Sequence, residues 1–141
     1  MSMDGSREAE RVLARWRRLL VVGCSGTRGK DAHEIPWFMS QLGYDVVPVN
    51  PNRERVFGRV SWPSLAEVPP ALAGPQACVV VFRPSPEAPR VAREAAAAGA
   101  GALWLQSGIA HPEARRVAAD AGMAYVEDAC LKVVAQRTKR L

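Results

Sequence analysis

Apolar residues in this chain fall into short solid runs separated by stretches with helical spacing. Leu19-Leu20-Val21-Val22 runs directly into Gly23-Cys24-Ser25-Gly26-Thr27, and Cys78-Val79-Val80-Val81-Phe82 is continuous and rich in β-branched residues. Runs of this kind predict strands buried on both faces, as in a parallel sheet. Five strands are predicted, at Leu19–Gly23, Asp45–Val49, Ala77–Phe82, Ala102–Gln106 and Ala124–Glu127. Between them, helical patterns cover His33–Leu42, a short Ser64–Val68 piece, Pro86–Ala98 and Pro112–Ala121. Gly43, Gly99 and Gly122 each follow a helix, where a terminating glycine belongs. Ser64 and Glu67 have capping-box spacing, and Asp128 is placed to cap a last helix reaching Thr138. Residues 1–18 read as an N-terminal amphipathic helix with Val12, Leu13 and Trp16 on one side, and 128–141 as a C-terminal helix and tail.

Strict alternation of strand and helix predicts a Rossmann-like, doubly wound α/β fold with a five-stranded parallel sheet and right-handed crossovers. The 141 residues suffice for one domain with a real core, so residues 1–141 are read as a single domain.

In such a sheet ligands bind beyond the carboxyl ends of the strands. The first tip, Gly23 to Lys30, joins a strand to a helix through glycines, which suits an anion. Its order, Gly23-x-Ser25-Gly26-x-x-Gly29, departs from the dinucleotide pattern by placing Ser25 where the second glycine stands. Ser25 can donate to a phosphate, and Thr27, Arg28 and Lys30 add donors and positive charge. The second tip, Asn50-Pro51-Asn52-Arg53, lacks the acid that would hold a free ribose diol, with Arg55 and Arg59 close behind. A phosphorylated ribose fits better, which leaves NADP and coenzyme A as candidates.

Composition narrows the classes. At 48% apolar residues the chain is a folded domain rather than a disordered one. No apolar run approaches the roughly 20 residues of a membrane span, and the charged N-terminus lacks the apolar segment of a secretory signal. Cys24, Cys78 and Cys130 have neither disulfide-framework nor metal spacing, so a reducing cytosol is the expected compartment. The net charge is +5, but basic residues are interleaved with acids and cluster only at the two ends, which disfavours nucleic acid as the partner. The strand tips carry no Ser–His–Asp set and no paired carboxylates. His33 reads as a partly exposed helix residue, His111 as a helix-entry position, and Cys130 as a small packed thiol. Trp62 is the best aromatic candidate for contact with a ligand or a second subunit. Tyr44 and Tyr125, the only tyrosines, lie away from where a nicotinamide proton donor would stand.

The series VVGCSGTRGK, VVPVNP, VFGRVSWPSL, VVVFRP, ALWLQSGI and YVEDACLKV resembles the small stand-alone CoA-binding proteins of the YccU-like family. It is also similar to the CoA-binding domain of the succinyl-CoA synthetase α subunit, from Trp16 to about Ala135. The resemblance implies coenzyme A as ligand. Gly23, Ser25, Gly26, Thr27 and Lys30 would form the pyrophosphate loop. Asn50, Pro51 and Arg53 would flank the adenosine and its 3′-phosphate. Phe82 and Arg83 would line the adenine side, and Gln106, Ser107 and Gly108 the mouth. Relatives usually carry Ala where Cys24 stands. The domain that supplies the synthetase's phosphorylated histidine has no counterpart here. The expectation is therefore a non-catalytic module that binds CoA or acyl-CoA, with a protein partner or homo-oligomer left open. An accessory subunit of an acyl-CoA ligase and an NADP-dependent oxidoreductase domain are the alternatives.

Overall fold

Leu19, Leu20 and Val21 are completely shielded from solvent, as are all five residues of Ala77–Val81. In the computed structural model, which describes residues 3–52 and 55–139, these two strands lie side by side at the centre of a parallel sheet. In chain order the elements are α1 (Met3–Arg15), β1 (Arg18–Val22), α2 (Asp31–Gln41), β2 (Asp45–Val49), β3 (Arg55–Val56), β4 (Arg59–Val60), β5 (Ala77–Val81), α3 (Ala88–Ala97), β6 (Ala102–Leu105), α4 (Pro112–Asp120), β7 (Ala124–Val126) and α5 (Leu131–Lys139). The main sheet has the order β2-β1-β5-β6-β7, all parallel, and β3 and β4 form a small antiparallel hairpin. The fold is the Rossmann-like, five-stranded one that the sequence predicts.

Successive strand residues point to opposite faces, so each strand feeds two cores. Leu19, Val21, Val80 and Trp104 pack with Val12 and Leu13 of α1, Met39 of α2, and Leu131 and Val134 of α5. Leu20, Val79, Val81 and Leu103 pack on the other face with Leu65, Val91 and Ala92 of α3, and Ala114 and Ala118 of α4. The buried polar ends of the large aromatics are satisfied by backbone: Trp104 Nε1 donates to Ala129 O at 2.8 Å and Tyr44 Oη to Leu13 O at 2.8 Å.

Several boundaries differ from expectation for local reasons. The strand expected to start at Leu19 starts at Arg18, whose Nε bonds Asp45 Oδ2 at 2.9 Å and so extends the β1–β2 ladder by one pair. The Ser64–Glu67 capping box does not form. The helix there is a single tight turn over Leu65–Glu67, and Ser64 makes no side-chain cap bond. The last helix starts at Leu131, not at Asp128. Asp128 has φ +51°, outside the helical region, and its carboxylate accepts the Gly108 N–H at 2.7 Å. The N-cap function there passes to Gln106, whose Oε1 accepts the Leu131 N–H at 3.2 Å.

Candidate functional site

Strand order in the main sheet reverses direction between β1 and β5. A crevice opens outside their carboxyl ends in any sheet wound this way. Here it is bounded by the Gly23–Lys30 loop, the Asn50–Asn52 turn and the Phe82–Pro84 turn. Gly23, at φ +88°, makes the close approach possible. A Cβ at this position would lie 3.0 Å from both Arg83 Cδ and the Phe82 carbonyl oxygen. Only a glycine lets the β1 and β5 tips meet this closely.

The loop is held from below by its own hydrogen bonds. Pro36 sits inside α2 and has no N–H to give to Ala32 O, its partner four residues back. That carbonyl instead accepts the Ser25 N–H at 3.0 Å. The Thr27 N–H donates to Ser25 Oγ at 3.0 Å. The Gly29 N–H donates to Glu34 Oε2 at 2.9 Å, and His33 Nδ1 lies 3.1 Å from the same oxygen. The hydrogen bond from Gly29 first, and then that from His33, holds the Glu34 carboxyl below its ordinary value. The N–H groups of Ser25, Thr27 and Gly29 already have partners and are not open to an anion. Anion attraction rests on the α2 terminus and the exposed Thr27, Arg28 and Lys30, with Glu34 as a resident negative group. Cys24 is buried beneath the loop.

On the β2 side, buried Asn50 clamps the loop. Its Nδ2 donates to Cys24 O at 2.9 Å, and its Oδ1 accepts the Asn52 N–H at 2.7 Å. Pro51 is exposed beside it. Arg53, expected at the 3′-phosphate, lies outside the described residues. Its two sequence neighbours are differently placed. Arg59 bonds Asp45 Oδ1 at 2.9 Å and Val46 O, at the amino end of β2 and away from the tip, while Arg55 bonds Gly58 O within the β3–β4 hairpin.

Among the described residues, the basic groups that line the cleft on the β2 side are Arg83 and Arg90. A cleft of about 420 Å³ lies above β1 and β2, with Val22, Val49, Pro51 and Leu65 as apolar lining and Arg83, Glu87, Arg90 and Glu94 along one side. Glu87 takes Arg83 in a two-bonded pair at 3.1 and 2.9 Å and also accepts from Arg90 at 3.0 Å. Arg83 lowers the Glu87 carboxyl, and Glu87 in turn raises the Arg83 guanidinium. Sequence reading did not connect these four residues, although the spacing Arg83, Glu87, Arg90, Glu94 has the three- and four-residue intervals of helical ion pairs.

Phe82 is half-buried and packs toward the α1, α2 and α5 face rather than into the cleft. Gln106 is buried and engaged with Leu131, whereas Ser107 is exposed and Gly108, at φ +83°, turns the chain toward Asp128. Trp62 joins the edge of β2 through its backbone and is half-buried against the core. His111 caps α4, its Nδ1 accepting the Glu113 N–H at 3.1 Å. The Tyr125 hydroxyl donates to Glu127 Oε1 at 2.7 Å. A feature with no sequence signal is Phe57. It is held at φ +54° in the hairpin turn, with its ring 5.1 Å from His33 and 5.3 Å from Trp37 beside Arg28.

A doubly wound α/β domain with a glycine loop and an open cleft at its switch point defines a class of ligand-binding domains. A family model for the CoA binding domain matches residues 17–136, and the chain belongs to that family. It is 32% identical over 139 residues to the uncharacterized protein YneT of Bacillus subtilis (strain 168), covering 99% of this chain and 100% of that one. It is 31% identical over 96 residues to acetate–CoA ligase [ADP-forming] II of Archaeoglobus fulgidus, a match covering 66% of this chain and 14% of the ligase. A hypothetical protein from Pyrococcus horikoshii OT3 superposes with a TM-score of 0.88 at 28% identity, over 99% of this chain and 96% of that one. Among the described residues no helix is long and apolar enough to cross a membrane.

Proposed function

We propose that this protein binds coenzyme A as a non-catalytic module, with the ADP moiety across the tips of β1, β2 and β5. The observation that carries this reading is the cleft between Gly23, Asn50 and Arg83, in a chain of the CoA binding domain family. The pyrophosphate lies over Ser25, Gly26, Thr27 and Lys30, at the amino end of α2, where backbone dipole and basic side chains favour an anion. The adenosine occupies the cleft beside Asn50 and Pro51, with Arg83 along its edge. The pantetheine arm runs from β1 across Gln106, Ser107 and Gly108. Arg53 and the Arg83–Arg90 pair are the cations offered to the 3′-phosphate.

The non-catalytic part of the reading is supported by how the carboxylates at the tips are spent. Glu87 is tied to two arginines, Glu127 to Arg115 and Tyr125, and Asp128 to a backbone N–H. Each serves an ion pair or a turn, and general acid–base work needs such a group aimed at a substrate. Calorimetric titration with CoA, 3′-dephospho-CoA and NADP tests the ligand. CoA should bind at least about tenfold tighter than dephospho-CoA, the equivalent of about 1.4 kcal/mol for one phosphate contact. Equal affinities would remove the 3′-phosphate from the site, and tighter NADP binding would replace CoA as the ligand. Incubation with acetyl-CoA and ATP, followed by thiol titration, tests for turnover.

The similarity to the acetate–CoA ligase favours a second reading, in which this chain supplies the CoA-binding part of a ligase completed by another chain. CoA-dependent co-purification with a protein carrying the remaining ligase domains would support it.

A further inference from the structure

A second cavity lies apart from the ADP cleft. It has a volume of about 550 Å³ and opens at the carboxyl end of the edge strand β7, between α1 and α5, with Ser107 on its border. One wall is charged and paired within itself. Glu127 accepts from Arg115 at 2.7 Å and from the Tyr125 hydroxyl at 2.7 Å, and Asp128 accepts the Gly108 N–H. Arg137 at the far end faces Glu10 at 3.6 Å. The apolar part of the lining is Ala129, Val133 and Val134, with Glu8 of α1 and Arg137 of α5 also on the cavity. Val133 is 48% exposed, one of the few large apolar side chains of the described structure left open to solvent.

We infer that this cavity receives the acyl group of a short, neutral acyl-CoA. The inference rests on the CoA reading above and concerns the other end of the same ligand. Neighbouring strands are about 4.8 Å apart, so Ser107 at the β6 tip stands two strands, roughly 10 Å, from the glycine loop at the β1 tip. The pantetheine arm has as many chain bonds as about four extended residues, roughly 13–14 Å. A CoA anchored on the loop and running across Ser107 therefore brings its sulfur to the mouth of this cavity. Beyond the sulfur, an acyl chain meets Ala129, Val133 and Val134. A terminal carboxylate would find both arginines already opposed by acids, and burying it there without a free cation is unfavourable. The wall thus selects for a neutral chain.

Calorimetry on the full chain with CoA, butyryl-CoA and succinyl-CoA tests this. Butyryl-CoA should bind about tenfold tighter than CoA, because burying two or three methylene-sized groups is worth about that factor. Succinyl-CoA should bind no tighter than CoA. Val133→Trp, which fills the cavity from an exposed position, and Val133→Glu, which charges its apolar wall, should each bring the butyryl-CoA to CoA affinity ratio close to one. Equal affinities of CoA and butyryl-CoA for the parent protein overturn the acyl site while leaving the CoA reading intact. So does a butyryl preference that survives both variants, since the acyl group then lies elsewhere. Failure of all three ligands to bind overturns the CoA reading, and the acyl site with it.

Discussion

The backbone N–H of Ser25 donates to the carbonyl of Ala32 at 3.0 Å, across the turn between β1 and α2. That carbonyl is available because Pro36, four residues further on, has no N–H to bond it. A helix-breaking residue thus becomes the anchor of the glycine loop, and its effect is felt eleven positions earlier in the chain.

Pro36→Ala supplies the missing donor and lets Ala32 return to the helical ladder. The loop then loses its tie, and CoA affinity should fall about fivefold, the equivalent of one hydrogen bond worth about 1 kcal/mol. Titration of the variant reads this directly. An unchanged dissociation constant would show that the Ser25–Ala32 bond does not preorganise the loop.

Glu34 makes the second prediction. Its carboxylate holds the Gly29 N–H, so it occupies part of the field that a phosphate would use. Glu34→Gln keeps a hydrogen-bonding side chain and removes the charge. CoA affinity should rise about two- to fivefold, in line with the usual worth of a single charge at a helix end. A loss of affinity would mean that Glu34 orders the loop more than it repels the ligand.

At the other end of the sheet, Asp45 bonds Arg18 and Arg59, both at 2.9 Å. Burial raises its carboxyl, but the hydrogen bonds from Arg18 and Arg59 outweigh burial and hold it below the ordinary value. A depressed folded-state value contributes stability above about pH 4, where the unfolded aspartate is ionised, and loses it as pH falls through the folded value. These side chains are partly exposed, so the contribution after solvent screening is about 0.5–1 kcal/mol. Asp45→Asn should be less stable than the parent by that amount at pH 7. The two should converge as pH falls through the folded-state value, in urea denaturation followed across pH. A constant gap down to pH 2 would assign the effect to packing.

How much of this was legible beforehand depended on which interactions a residue makes. The central strands could be read because their runs, such as Leu19–Val21 and Ala77–Val81, are buried on both faces and carry no polar interruptions. The Gly23 turn could be read because tight strand-to-helix turns demand glycine. The cap of α5 could not, because Asp128 and Gln106 are separated by 22 positions and only the β6–β7 pairing decides which of them meets Leu131. The arginines near Asn50 illustrate the same limit. Arg59 follows the β2 tip in sequence, yet the β3–β4 hairpin carries it back to Asp45. Arg90, with no tip of its own, reaches the cleft from α3.

Gly101 shows a constraint invisible to local rules. Its backbone lies against Pro75. An added Cβ would overlap the Pro75 carbonyl and lie 2.6 Å from Trp16 Nε1, which itself donates to that carbonyl at 2.7 Å. The Pro75 backbone on one side and the hydrogen-bonded Trp16 ring on the other leave little room to yield. Gly101→Ala should cost about 1–3 kcal/mol by overpacking, seen as a lower denaturation midpoint. CoA affinity of the folded fraction should not change, since the residue lies at the amino end of β6. A neutral substitution would show that the Pro75 segment shifts freely.

The last prediction concerns Glu87, which stands between the two arginines of the cleft. Glu87 holds Arg83 at both oxygens and shares Arg90 with Glu94, so an anion that reaches either guanidinium meets a carboxylate already beside it. Binding of an anion therefore works against the Glu87 charge. Glu87→Gln weakens the internal pair and leaves both cations in place, so CoA should bind about tenfold tighter, a change of about 1.4 kcal/mol. Arg83→Ala removes the cation nearest Gly23 and should weaken CoA by a similar factor or more. If the anion served is the 3′-phosphate, both effects should vanish with 3′-dephospho-CoA. If they persist with dephospho-CoA, the arginines serve the pyrophosphate instead. If neither substitution changes the affinity for either ligand, the Arg83–Glu87–Arg90 chain is a surface ion-pair network that only secures the start of α3.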